Sequence, residues 1–326
     1  MLWLYIILGI LAFLLIFAIV AYAIAKKLHK AFFIGHYYDD TRINYYTKEE
    51  FGLDFSPVEI NMEDSILKGG LYSYPNYDKT KIFVVFHGMW SGVAAYVQDI
   101  EYICHKGYQV LAMNYEGTND STGNLRGLAN SLRCADAIIK YVKENPLLKE
   151  REIYVYGHSW GGFAATNIPY YYKDIKGVLA LAPFISISSC MKGMLPKGLW
   201  FIIPFYKIIE YGKTKKYSKA NAITSLADFK GNVVIIHSTN DKVVKFKYNT
   251  NMLKKKLSNL NYIIVDDKDH CPQYSINAVA VGRKFMEETS KMGEKEKTEY
   301  MKGFDFHSMG ALDNSLLDKA FGLLLK

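Results

Sequence analysis

The alternation of apolar and polar positions divides the chain before any motif is considered. Leu2 to Ala25, LWLYIILGILAFLLIFAIVAYAIA, carries no charged side chain. As a helix this run spans roughly 36 Å at about 1.5 Å per residue, enough to cross a hydrocarbon core of ~30 Å. Residues 1–25 are therefore predicted to be a transmembrane anchor. Residues 26–56 turn polar and aromatic, with HYYDDTRINYYTKEEFGL, and read as a juxtamembrane connector. Beyond them the pattern changes to short β-rich apolar runs separated by helical stretches. VEINM and ILKGGLYSY read as an opening hairpin; KIFVVFHG, YQVLAMNY, REIYVYG, GVLALAP, NVVIIHS and NYIIVDD read as buried strands. The intervening segments VAAYVQDIEYICHKG, LRGLANSLRCADAIIKYVKEN and WGGFAATNIPYYY read as helices. This alternation predicts an α/β domain over residues 57–290, with a mostly parallel sheet covered on both faces. Residues 184–222 interrupt it with an aromatic, methionine-containing insertion that carries seven lysines between Lys192 and Lys219. Its place between two strands suits a small lid, or equally a pair of surface helices. Residues 291–326 open as a charged segment, read as a solvated helix or linker. Leu316, Leu317, Ala320, Phe321 and Leu324 then recur at helical spacing, which predicts a final helix packed on the core.

Composition adjusts this outline only in places. Half of the 326 residues are apolar, enough for one sizeable core. The net charge of +8 is compatible with an anionic membrane surface. The lysines are scattered and no zinc-finger or RNA-binding signature is present, so nucleic acid is not an expected partner. Cys104, Cys134, Cys190 and Cys271 lie far apart in no metal or disulfide pattern and read as free thiols. At the amino terminus the rival reading is a cleaved signal peptide. No lysine or arginine precedes the apolar run, and the run is longer than a usual signal core, which favours a retained anchor. Trp3, Tyr5 and Tyr22 stand near its ends, where aromatic rings favour the interface. Lys26, Lys27 and Lys30 follow directly, and the positive-inside tendency places the bulk of the protein on the cytoplasmic side.

Candidate chemistry centres on 157-GHSWG-161, which follows one apolar strand and opens a helical run. A G-x-S-x-G in this context is a nucleophile elbow. The serine takes a strained turn, and strand and helix approach so closely that side chains at Gly157 and Gly161 would collide. Ser159 is the candidate nucleophile, and the amide of Trp160 points from the helix start toward a developing oxyanion. A serine hydroxyl needs a base, and the base needs an orienting acid. The order Ser, acid, His is supplied by Asp241 in 239-TNDKVV-244 and His270 in 268-KDHCPQ-273, each just past a strand end. Asp228, Asp266, Asp267 and Asp269 are rivals for the acid, and Asp241 is preferred on position. The second oxyanion donor is expected from 86-FHGMWSG-92, with Met89 as the candidate amide. His29, His36, His105 and His307 fall outside the site loops. His158 is expected to point away into the turn, and His237 to be structural.

Taken together, FHGMWSG, MNYEGTNDSTG, YGHSWGG, HSTNDKVV and DKDH resemble, in that order, the α/β-hydrolase superfamily. Within it the chain is similar to bacterial membrane-anchored serine hydrolases of the serine-aminopeptidase-like and esterase-like group. The resemblance covers roughly residues 57–290. Such families usually carry Asp and Arg where this chain has Asn114 and Glu116; Gly117, Ser121 and Gly123 are kept. The resemblance implies an α/β-hydrolase fold and acyl hydrolysis through a serine-bound intermediate, with no metal or organic cofactor. The anchor and the apolar, lysine-rich insertion favour a lipid-like or other small-molecule carboxylic ester. A peptidase or amidase of the serine aminopeptidase type, an acyltransferase and a catalytically silent binding protein are the alternatives.

Overall fold

In the computed structural model, which describes residues 1–33 and 35–326, the chain begins with one long helix, α1 (Leu2–Phe32). Its most apolar stretch has a mean hydropathy of 3.1 and is almost wholly uncovered by the rest of the protein, so it is long and apolar enough to cross a membrane. The helix does not stop at Ala25. Lys26, Lys27, Leu28, His29 and Lys30 are good or tolerable helix formers, and nothing breaks the hydrogen-bond ladder before Phe32.

Eight strands form one sheet: β1 (Asp54–Asn61), β2 (Ile66–Ser73), β3 (Asp78–Phe86), β4 (Tyr108–Met113), β5 (Glu152–His158), β6 (Gly177–Leu181), β7 (Asn232–Ser238) and β8 (Asn261–Val265). Their order is β1-β2-β4-β3-β5-β6-β7-β8. β1 and β2 form the predicted antiparallel hairpin, and β2 also runs antiparallel to β4. The pairings from β4 through β3 to β8 are all parallel. Parallel strands need crossovers, and these are α2 (Val97–His105), α3 (Asn130–Glu144), α4 (Trp160–Asn167) and the later helices. The central strands read as unbroken apolar runs because both faces are covered. Val84, Val155, Val178 and Ile235 belong to the core on one face, and Phe83, Val85, Leu179 and Val234 to the core on the other.

The insertion folds as α5 (Ile187–Met194), a 3₁₀ turn (Lys197–Ile202), α6 (Ile203–Thr214), a second 3₁₀ turn (Lys215–Lys219) and α7 (Ala222–Ala227). α8 (Thr250–Lys256) precedes β8, and α9 (Ile276–Thr289) follows the last site loop. In the carboxyl-terminal segment the structure takes the helical one of the two readings and adds a packed side to it. Its charged part folds as α10 (Glu294–Lys302) and α11 (Phe306–Met309), with Met301 and Phe306 packed on Phe285 of α9. The residues read as a linker bury one apolar side while the charges stay outside. The last helix, α12 (Asn314–Leu324), seats Leu317, Ala320, Phe321 and Leu324 in the core beside Phe83. A domain boundary at residue 290 therefore cuts off a helix that covers the sheet.

Candidate active site

Parallel strands end on one edge, and the order reverses where β3 lies between β4 and β5. Loops from different strands converge beside such a switch point. At the end of β5 the backbone turns sharply at Ser159, with φ +55° and ψ −108°, and α4 starts at the next residue. A non-glycine residue held in this region is strained, and it stays there because its surroundings leave no alternative. The glycines supply the space. A Cβ at Gly157 would lie 2.2 Å from the Gly161 carbonyl oxygen, and one at Gly161 would lie 1.9 Å from the Phe86 carbonyl oxygen. Gly161 thus presses the elbow against the end of β3, which carries the loop with Met89.

The side chains singled out from the sequence come together at this edge. His270 Nε2 lies 2.8 Å from Ser159 Oγ, and His270 Nδ1 lies 2.8 Å from Asp241 Oδ2. A carboxylate can only accept, so Nδ1 carries the proton and Nε2 presents a lone pair to the serine hydroxyl. Asp241 Oδ1 accepts from the amides of Val243 and Val244, each at 2.8 Å. Burial alone raises the Asp241 carboxyl. Hydrogen bonds from His237 and His270, reinforced by their charge, more than offset this and hold it well below the usual carboxylate range. Among the described residues none of the rival acids hydrogen-bonds or ion-pairs with the His270 ring; Asp269, for example, pairs with Arg283.

Two histidines given no chemical role in the sequence reading belong to this assembly. The ring of His158 does not idle in the turn. Its Nε2 donates to the His270 carbonyl at 2.9 Å, and its Nδ1 accepts from the Tyr96 hydroxyl at 2.8 Å. Tyr96 in turn accepts from the Gly88 amide at 2.9 Å. A buried chain of three hydrogen bonds therefore joins the β3 loop to the backbone of His270. Burial, with repulsion from His270, lowers the His158 imidazole to about 3, so it stays neutral with one fixed tautomer. His237, fully buried, lies 3.2 Å from Asp241 Oδ2 and donates to the Val244 carbonyl at 2.8 Å. Neither residue carries a local sequence signal. Their partners are 62 and 112 residues away for His158, so only the fold reveals them.

The β3 loop is held as tightly. His87 Nδ1 and Ser91 Oγ both donate to the Gly88 carbonyl, at 2.8 and 3.1 Å. In a trans peptide the Met89 N–H points opposite to that carbonyl, so these two bonds fix its direction. Burial lowers His87 to about 4, leaving its Nε2 free to accept from the Tyr115 amide at 3.0 Å. Trp90 follows at φ +54° and stacks on Phe32 of α1, with ring centroids 5.8 Å apart. On the elbow side the Trp160 indole donates to the Leu128 carbonyl at 2.5 Å.

Two open clefts flank His270. One, about 620 Å³, is lined by Asn240, Lys242, Val243, Asp269 and Arg283. The other, about 390 Å³, is more apolar, with Tyr274, Ala278, Val279, Met286 and Met309 in its wall. Among the described residues neither cleft draws a wall from the insertion, so the predicted lid does not cover this side of the site. Nor does any group of three His, Cys, Asp or Glu side chains stand ready to hold a metal ion among the described residues. The departure at Glu116 has a local explanation. The carboxylate is buried and paired with Arg126 at 2.9 Å and with Arg133.

Residues 77–228 match the serine aminopeptidase S33 family. A phosphatidylserine lipase of Rattus norvegicus, ABHD16A, is 25% identical over 138 residues, which is 42% of this chain and 23% of that protein. The chain thus spans about a quarter of the length of the curated relatives it matches. Among solved structures, the Pyrococcus furiosus esterase Pf2001 aligns with a TM-score of 0.55 at 20% identity, covering 76% of this chain and 95% of that one. Est1E from Butyrivibrio proteoclasticus, solved with ferulic acid bound, aligns at 0.56 and 18%, covering 72% and 100%.

Proposed function

We propose that this chain, a member of the α/β-hydrolase superfamily, cleaves a carboxylic ester at a membrane surface through a serine-bound acyl intermediate. The observation that carries the reading is the single imidazole of His270 held between Ser159 Oγ and Asp241, with 2.8 Å on either side. In the proposed reaction His270 Nε2 takes the hydroxyl proton as Ser159 Oγ attacks the ester carbonyl. Asp241 stabilises the imidazolium that forms. The amides of Trp160 and Met89 receive the oxyanion. The tetrahedral intermediate collapses, the C–O bond to the alcohol breaks, and His270 returns its proton to the leaving oxygen. Water, deprotonated by the same nitrogen, then releases the acid and restores Ser159.

The ester is proposed to be lipid-like. Support comes from the apolar cleft beside His270, from α1, and from the naming of the rat relative as a phosphatidylserine lipase. With Lys26, Lys27 and Lys30 at the end of the apolar run, the domain is proposed to face the cytoplasm. The serine aminopeptidase match favours a second reading, amide cleavage at a peptide terminus.

Labelling by a fluorophosphonate probe tests the nucleophile. Ser159→Ala is expected to abolish labelling and to lower turnover on the order of 10³-fold or more. Undiminished labelling or turnover removes the proposal. Nitrophenyl esters of increasing chain length, set against aminoacyl amides, separate the two readings. A kcat/KM that rises with acyl length supports the lipid-like ester, and faster amide cleavage supports the peptidase.

A further inference from the structure

The insertion meets α1 along much of its length. Phe201 stacks near Phe17, with ring centroids 5.2 Å apart, and Tyr206 lies 5.4 Å from His29. Glu210 Oε1 is 3.3 Å from His29 Nε2, a close contact without hydrogen-bond geometry. Ala21 and Ala25, two turns and one turn before His29, are fully covered. Two small residues on this face let the two helices come close. These contacts fix the direction: α6 runs parallel to α1, with its amino-terminal end beside Phe17 and its carboxyl-terminal end beside His29.

The opposite face of the same segment is bare. Ile202, Ile203, Tyr206 and Glu210 are buried, whereas Phe201, Pro204, Ile208 and Tyr211 are exposed, Ile208 at 61%. The exposed set recurs at intervals of three and four, the spacing of one helix face. Among soluble helices the outward stripe is polar, and here it is apolar. Phe17 precedes Lys26 by more than two turns, roughly 13 Å along the axis. If Lys26 marks the water boundary of α1, Phe201, beside Phe17, lies in the acyl region, while Tyr206 and Glu210, beside His29, and with them Lys207, Ile208 and Tyr211, lie at the headgroups.

We infer that α6 and the turn before it form a second membrane element, half-inserted beside α1, with Phe201 and Pro204 against the acyl chains of an anionic bilayer and Ile208 and Tyr211 at its headgroups. The inference rests on the reading of α1 as a spanning helix and deepens the proposal of a lipid-like substrate. The occupant is a bilayer because the stripe continues the exposed apolar surface of α1 and is followed by the same basic charge that follows α1. Trp90, stacked on Phe32, then brings the loop of Met89 to the same water boundary.

The test uses the full chain in nanodiscs of equal phosphatidylglycerol and phosphatidylcholine, with a doxyl group on the acyl chains. Bimane is attached at Phe201→Cys or Ile208→Cys. Phe13→Cys reports α1 itself, Leu147→Cys reports an exposed site far along the chain, and the unsubstituted chain sets the background from native thiols. Position 201 is expected to lose most of its fluorescence to the doxyl lipid, as position 13 does, and to resist aqueous iodide; position 208 should lose less to the doxyl lipid than 201, and position 147 should do the reverse of 201. Iodide quenching at 201 with doxyl quenching at 13 overturns the inference. Protection from both quenchers at 201 also overturns it, in favour of a protein contact. Solvent exposure at 13 removes it together with the reading of α1. None of these readouts requires turnover, so a failure of the Ser159 proposal is seen separately, in the fluorophosphonate labelling.

Discussion

At Ser159 one residue concentrates several costs. Its backbone is strained, its hydroxyl is nearly buried, and the histidine that would activate it is held at both ring nitrogens and at its backbone carbonyl. Behind this group lies a second buried carboxyl, Asp99 on α2, which accepts from the Tyr156 hydroxyl. Burial, only partly opposed by that hydrogen bond, raises Asp99 from 3.8 to about 7. Between those values the folded protein holds a proton that the unfolded chain has released, so stability falls as pH rises from about 4 to 7. Asp99→Asn still offers Tyr156 an acceptor and should remove that slope; urea unfolding at a series of pH values compares the two proteins, and parallel curves would contradict the assignment. Asp241 works in the opposite sense. Its lowered carboxyl contributes stability above the ordinary carboxylate range, and this is lost as pH falls below it.

Elements hold one another in place through a few close approaches. The elbow of β5 and α4 meets the end of β3 at Gly161, where the obstacle to a side chain is backbone and cannot rotate away. Gly161→Ala should therefore cost about 3 kcal/mol or more, read as a lower urea midpoint, or prevent folding altogether. The insertion is tied to the start of α3 by Glu210. This carboxylate is fully buried and accepts from the amides of Leu128 at 2.7 Å and Ala129 at 3.4 Å. The Leu128 carbonyl holds the Trp160 indole, so one short segment links the insertion to the elbow. Glu210→Ala leaves two buried donors without partners and should destabilise the fold by about 1–3 kcal/mol per donor. Thermal unfolding measures the loss, and limited proteolysis should find new cleavage between residues 184 and 222.

For the whole molecule, an apolar helix, a basic boundary and the site loops lie in sequence along one direction. Phe32 touches Trp90, and His29 touches Glu210, so the end of α1 is packed on both the β3 loop and the insertion. A spanning helix joined by a free linker would leave the site anywhere within reach; if α1 spans the bilayer, its packing sets the height of the site above it. If the basic residues after α1 orient it, protease added to intact cells should leave the domain whole, and disruption of the membrane should expose it. Digestion in intact cells would reverse the assignment of sides. The connector after α1 is tied to α10 and α11: Arg42 reaches Glu294 at 3.2 Å and Thr298 at 2.9 Å, and Tyr46 stacks on His307.

Local pattern alone determined much of this protein. The apolar run of α1, the hairpin of β1 and β2, the buried parallel strands and the elbow around Ser159 are legible because each obeys a short-range rule of period, charge or backbone space. Asp241 and His270 were legible for a related reason: each follows an apolar run directly, so its place at a strand end needs no knowledge of contacts. Tertiary structure alone decided the rest. The hydrogen bonds that join Tyr96, His158 and His270, the link from Glu210 to the start of α3 and the bare stripe on α6 all depend on residues distant in the chain. Whether a side chain is covered, and by what, is a property of the neighbours that folding brings to it, and no local period records them.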